Sequence, residues 1–391
     1  MDITLTSSHA SQSTNTTTPA NTSDKPIGKI HNTNHLVPHI NVFDSEYTTH
    51  RLPASSFSNS ASQGNYQQIT VGEQTLKIHY FEAGDSNKPV LFCVHGFQSN
   101  AYQFSKVFDE LARDYHVIAI DLPGCGYSDL TENNDYDFST TLPKILDAFT
   151  KQKQLAHITV VCSSMGYAIC APWATMKENP IDQIIIFNGL TPLGHPNFTS
   201  NIAQKVGKMK ASSDLFEKLA VRYTLSNIHR KHTFGSADVQ EFFNPYSSKD
   251  PKAPARKIAR AIYATLVAKL IADPAEINAY EEYNNNIKVP VLIVQSEWDE
   301  LVPSKDSAFW LSDTIPQSKL LIIPKREVPT AGHTLMSDTP EVAVKIINDF
   351  MKNQFPTYNS ETINPKMRYW NYRSGPASHY ELVKRPNEKN G

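Results

Sequence analysis

Three residues of this chain could together break an acyl bond: Ser164, Asp299 and His333. A serine hydroxyl is a poor nucleophile until an imidazole takes its proton, and that imidazole needs a carboxylate to fix its tautomer. Ser164 lies in Val160-Val161-Cys162-Ser163-Ser164-Met165-Gly166-Tyr167-Ala168-Ile169, where β-branched residues lead into small ones and a helix begins at Met165. A serine on such a strand-to-helix turn is held in a strained conformation with its hydroxyl raised above the sheet. The residues two places away on either side must be small, because the turning backbones nearly touch. Cys162 and Gly166 meet that requirement around Ser164, whereas Val161 and Met165 would crowd Ser163. Ser164 is therefore the expected nucleophile; without partners the same stretch reads as an ordinary turn.

The partners follow in the order Ser, Asp, His, each after a late apolar run. Asp299 follows Val291–Val294 and His333 follows Leu320–Ile323. With fourteen histidines in the chain, setting must select one. His333 stands in Ala331-Gly332-His333-Thr334, ahead of Asp338-Thr339-Pro340 and a closing helix. His95 precedes Gly96 straight after a core strand and reads as a brace for that loop. Glu297 and Glu300 rival Asp299, which is preferred because Asp-x-Leu-Val-Pro sets it at the loop apex. The developing oxyanion needs N–H donors. Met165 N–H at the helix start and Phe97 N–H after the Pro89–Val94 run are the expected pair, with the Phe97 ring also lining the substrate site.

These residues need a scaffold that delivers them to one edge. Pro89–Val94, His116–Ile120, Ile158–Cys162, Ile184–Phe187, Val289–Val294 and Lys319–Ile323 are short apolar runs without alternation, as in strands covered on both faces. Helical spacing over Tyr102–Asp114, Thr140–Lys153, Met165–Asn179 and Glu341–Asn353 alternates with them. A polar/apolar alternation broken at Gly72-Glu73 predicts a hairpin ahead of them. The expected class is a doubly wound, mostly parallel α/β sheet, whose active residues belong beyond the carboxyl ends of its strands.

Between Leu190 and Asn286 the strands stop and helical stretches carry many aromatics. This reads as a helical cap inserted late in the sheet, with Phe198 and Phe242 as substrate-binding candidates. The predicted organisation is a polar N-terminal segment over residues 1–65, a first core part over 66–189, the cap over 190–286, a second core part over 287–354 and a polar tail over 355–391. The first segment is rich in Ser, Thr, Asn and His and is too poor in apolar periodicity to offset the entropy of ordering. The tail holds Tyr369-Trp370-Asn371-Tyr372, expected only to pack against a surface. Lys252, Arg256, Lys257 and Arg260 read as the solvated face of one cap helix.

The pieces His95-Gly96-Phe97, Asp121-Leu122-Pro123-Gly124-Cys125-Gly126-Tyr127-Ser128, Cys162-Ser163-Ser164-Met165-Gly166, Asp299-Glu300-Leu301-Val302-Pro303 and Gly332-His333 run in family order over Gln68 to Lys352. In them the chain resembles the α/β-hydrolase fold superfamily, of the cap-bearing, lipase/esterase-like kind. Cys162 departs from the usual first glycine, and the Pro324–Thr330 loop before His333 is longer than usual. Serine at the elbow, rather than aspartate, argues against haloalkane dehalogenase or epoxide hydrolase chemistry.

Composition narrows the partners. A formal net charge of −2 and a pI of 6.7 over 391 residues favour neither nucleic acid nor an anionic membrane. Cys93, Cys125, Cys162 and Cys170 show no metal-ligand spacing and are expected as buried free thiols, which suits a reducing compartment. No run approaches the ~18 apolar residues of a membrane span. The expectation is a cytoplasmic serine hydrolase with no cofactor or metal, acting on a small ester or acyl substrate, its oligomeric state open. Carbon–carbon hydrolysis and acyl transfer would use the same residues, and a non-catalytic ligand-binding protein is the rival from another class.

Overall fold

A computed structural model describes residues 64–193, 236–299, 301–302, 304–358 and 364–386. The expected polar N-terminal segment apart from residues 64–65, the Ile202–Leu225 helix, Phe198 and Glu300 lie outside the described residues. Among those described, one ten-stranded sheet runs in the order β1-β2-β4-β3-β5-β6-β7-β8-β9-β10. Its strands are β1 (Asn65–Val71), β2 (Gln74–Ala83), β3 (Val90–Val94), β4 (His116–Ile120), β5 (Ile158–Ser163), β6 (Ile181–Phe187), β7 (Val291–Ser296), β8 (Ser318–Ile323), β9 (Arg368–Arg373) and β10 (His379–Lys384).

The parallel heart runs from β4 through β3, β5, β6, β7 and β8 to β9. Every residue of β3, β4, β5 and β7 is buried. That is why their sequences do not alternate: helices cover both faces, so neither side of the pleat meets water. One layer holds α2 (Thr141–Gln152) and α3 (Met165–Ala174), and the other α1 (Ser105–Ala112). The hairpin β1–β2 closes antiparallel at one end and alternates as predicted, with Ile69, Leu76 and Ile78 turned inward.

The chain leaves the sheet after β6 and returns at β7. The described part of the excursion is helical: α4 (Ser236–Phe243), α5 (Ala253–Ala272) and α6 (Pro274–Asn286). Asp273 caps α6 by accepting from Ala275 N–H, ahead of a proline at the first position, where its missing N–H costs nothing. After β7 come α7 (Phe309–Thr314), β8, the short α8 (Leu335–Asp338) and α9 (Pro340–Met351).

Two sequence expectations are corrected. Arg256 and Arg260 are not on a solvated face, being 2% and 6% exposed. They share the buried stripe of α5 with Tyr263 and Val267, one turn apart. Arg256 pairs with Asp250 at 2.7 Å, and the Arg260 guanidinium lies over the Tyr246 ring. Their stems fill apolar space while the planar heads find partners, a use that charge patterning does not reveal.

The polar tail also does more than rest on a surface. β9 joins the sheet parallel to β8 through Leu321↔Trp370 and Ile322↔Asn371, and β10 pairs back on β9. Trp370 and Tyr372 are buried beside Phe355 and Tyr380. The four cysteines are buried and free. No described helix is long and apolar enough to cross a membrane.

Candidate active site

β5 ends at Ser163, and the chain turns so sharply into α3 that Ser164 takes φ 52°, ψ −121°, a left-handed backbone disfavoured for any residue with a Cβ. Its flanks hold it there: Ser164 N–H donates to Phe187 C=O and Ser164 C=O accepts from Leu190 N–H, each at 3.0 Å. A Cβ on Gly166 would stand 2.7 Å from Val94 O and 3.4 Å from Cys162 Cβ. That crowding explains the small-x-Ser-x-small rule. Cysteine is small enough for the first small position, and its thiol lies 3.7 Å from Ile185 O.

Beyond β7 and β8, Asp299 and His333 are brought together. Asp299 Oδ2 lies 2.8 Å from His333 Nδ1 and also faces Gln295 Nε2 at 3.4 Å. Its Oδ1 accepts from Leu301 N–H at 2.8 Å and Val302 N–H at 3.1 Å. The carboxylate is therefore aimed by its own turn and by the imidazole. The carboxyl rival Glu297 is exposed and accepts from Lys325 N–H instead. Ser164 and His333 are each buried but not sealed, at 6% exposure.

The loop before His333 folds on itself. Glu327 and Val328 N–H both donate to Pro324 C=O, and Val328 and Ala331 are buried beneath it. Arg373 of β9 holds Glu327 from outside at 2.8 Å.

The loop after β3 passes over Ser164. A Cβ on Gly96 would come within 2.9 Å of Ser164 Cβ. Only glycine admits that approach. Phe97 follows, half-buried, and Met165 opens α3. Neither N–H donates to a turn, loop or cap carbonyl among the described residues. His95 braces the loop: its Nδ1 meets Gly96 O at 2.8 Å and its Nε2 accepts from Leu122 N–H at 3.0 Å. Burial holds this imidazole below its ordinary value, against the pull of Asp121 and Gly96 O. Asp121 takes Ala101 N–H, Tyr127 N–H and His79 Nδ1. Burial alone would raise its carboxyl; His79 and these N–H groups outweigh that and hold it below the usual range.

Two buried amides were missed at the sequence level. Gln103 accepts from Gly96 N–H at 3.1 Å and donates to Ser163 Oγ at 2.9 Å, clamping the β3 loop to the elbow. Ser163 thus has its own structural partner. Asn188, directly after β6, contacts both the β7 turn and the His333 loop. Its one sequence signal is Asn188-Gly189, which marks a turn and nothing more.

Phe242 packs edge-on against Tyr102, ring centroids 5.5 Å apart, and Tyr102 O–H donates to Asp238. It sits in the seam between cap and core. Tyr263 makes a second seam by donating to Pro123 C=O at 2.9 Å. No group of three His, Cys, Asp or Glu among the described residues could hold a metal ion.

Comparisons with known proteins agree with this architecture. The model of the alpha/beta hydrolase fold matches residues 89–338. Epoxide hydrolase 3 of Xenopus tropicalis is 24% identical over 78% of this chain and 83% of its own length. Human monoacylglycerol lipase ABHD6 is 18% identical over 76% of this chain and 88% of its own. Among solved structures, an esterase from Thermogutta terrifontis superposes with a TM-score of 0.58 at 18% identity, covering 74% of this chain and 98% of that one. A match over most of the ordered core, with the motifs in place along it, has one reading: this chain belongs to the alpha/beta hydrolase fold family.

Proposed function

We propose that the chain is a cofactor-independent serine hydrolase that cleaves a carboxylic ester or related acyl substrate. The observation that carries this reading is the His333–Asp299 pair at 2.8 Å, taken together with a serine held at φ 52° on the elbow. His333 takes the Ser164 proton through Nε2 as the hydroxyl oxygen attacks the acyl carbon, while Asp299 holds the proton on Nδ1. Met165 and Phe97 N–H groups receive the oxyanion. The tetrahedral intermediate collapses, His333 gives its proton to the leaving alcohol, and an acyl-enzyme remains. Water deprotonated by His333 then releases the acid and restores Ser164.

Similarity to a protein named epoxide hydrolase raises the question of epoxide opening. Serine attack on an epoxide carbon would leave an alkyl ether. Such an ether offers water no carbonyl to attack, so the cycle could not close. Attack on an ester leaves an acyl-enzyme that water can cleave, and the serine at position 164 favours that class.

Substrate choice belongs to the cap and the Phe97 ring, with Phe198 and Phe242 as cap candidates. A fluorophosphonate should label the wild type and not Ser164→Ala. Nitrophenyl esters of increasing acyl length should then be hydrolysed faster up to a sharp limit, each buried methylene adding about 0.8 kcal/mol. Labelling of Ser164→Ala would remove the reading.

A further inference from the structure

Three loops must hold register for the proposed chemistry: the elbow after β5, the acid turn after β7 and the base loop after β8. The last two meet at the side chain of Asn188, and the first at its backbone neighbours. Asn188 is fully buried, at 0% exposure, and takes a left-handed backbone with φ 49°. Its Oδ1 accepts from Ser296 N–H at 2.7 Å. Its Nδ2 donates to Gly332 C=O at 3.1 Å and His333 C=O at 2.6 Å.

The backbone around it ties in the rest. Asn188 N–H donates to Val294 C=O at 2.8 Å. Phe187 C=O and Leu190 N–H, on either side, take the N–H and C=O of Ser164. Ser296 C=O receives Asp299 N–H at 3.2 Å, so the residue gripped by Asn188 Oδ1 also starts the acid turn.

We infer that Asn188 is a positioning residue that sets His333 against both Ser164 and Asp299. The inference rests on the serine-hydrolase reading above. Asn188 touches no reacting atom; it acts through the carbonyls of Gly332 and His333 and the N–H of Ser296. The chemistry at this point requires an amide. One acceptor must face an N–H while two donors face carbonyls, and asparagine also tolerates the left-handed backbone better than most residues. Aspartate would turn a carboxylate oxygen toward two carbonyl oxygens. Leucine would leave one buried N–H and two buried C=O groups without partners.

The test uses Asn188→Gly, which keeps the left-handed backbone and removes only the amide, and Asn188→Asp. Displacing a catalytic base by about 1 Å can cost a hundredfold in rate. In Asn188→Gly, kcat for a nitrophenyl ester should therefore fall about a hundredfold with KM little changed. Fluorophosphonate labelling of Ser164 should slow in parallel, and acetamide added to the solution should restore part of both rates. Asn188→Asp should be slower still at neutral pH, and relatively less impaired as the pH falls and its carboxyl gains a proton to donate. A folded Asn188→Gly with kcat within twofold of wild type would overturn the inference, as would an equal loss insensitive to acetamide.

If neither variant folds, the wild-type protein decides by NMR. The Asn188 side-chain N–H₂ should resist exchange with solvent and shift when Ser164 is phosphonylated; an unmoved signal overturns the inference. Failure of the underlying reading shows separately, because Ser164→Ala would then still be labelled and turn over ester.

Discussion

Leu122 donates its N–H to His95 Nε2 at 3.0 Å, which fixes His95 as a neutral imidazole carrying its proton on Nδ1. A second proton on Nε2 would set N–H against N–H and break the bond. Burial holds this imidazole below its ordinary value of 6.5. The sign follows from linkage: the unfolded chain binds the proton more tightly than the folded one, so protonation favours unfolding. The stabilisation is complete above about pH 6.5 and is lost as pH falls toward the lowered folded value. Melting temperature should therefore drop as pH falls below about 6.5, and His95→Gln should flatten that part of the profile. An identical slope in the variant would assign the acid sensitivity elsewhere.

Ser163 and Ser164 should separate activity from stability. Ser164→Ala should abolish turnover yet melt like the wild type, because the change removes a single hydroxyl and leaves the turn's backbone bonds in place. Ser163→Ala should keep turnover but lose about 1–3 kcal/mol, since Gln103 Nε2 is left without its buried partner. Urea denaturation with parallel ester assays reads both. The reverse pattern would place the nucleophile at 163.

Asp299→Asn should keep the fold and lose activity heavily, because an amide beside His333 Nδ1 can stabilise the wrong tautomer. Glu297→Gln should be near wild type, its carboxylate being spent on Lys325 N–H. Loss of His333 should be nearly as severe as loss of Ser164, and the double variant little worse than either. Full activity in Asp299→Asn would move the acid elsewhere.

Gly96→Ala should be damaging beyond its size. The added methyl would stand 2.9 Å from Ser164 Cβ, where neither backbone is free to retreat. The loop must lift, carrying Phe97 N–H away from the oxyanion position proposed for it. A large fall in kcat with KM little changed is expected in steady-state assays; wild-type kcat would show that the loop yields without cost.

Trp370 tests whether the C-terminal hairpin belongs to the folded core. Trp370→Ala should cost about 3–5 kcal/mol, as for other large aromatic truncations in cores. Trp370→Phe should cost much less, since the buried Trp370 Nε1 has no hydrogen-bond partner to lose. A neutral Trp370→Ala in chemical denaturation would detach the hairpin from the core's stability.

The sequence alone carried the parallel strands, because a strand covered on both faces must be apolar throughout, as in Val90–Val94 and Val291–Val294. It carried the register of the elbow as well, since backbone contact at Gly166 is a local steric demand. The order of Ser164, Asp299 and His333 was legible because each follows a recognisable strand. Only the tertiary structure decided what buries Arg256 and Arg260, whose partners Asp250 and Tyr246 come from another turn of the cap. It also decided that β9 joins the sheet: strand addition uses backbone N–H and C=O groups, which every residue has and no side chain announces. Asn188 is the clearest case. Its partners lie 108 residues away at Ser296 and 145 away at His333, and hydrogen bonds over such spans arise only when the sheet brings their strand ends side by side.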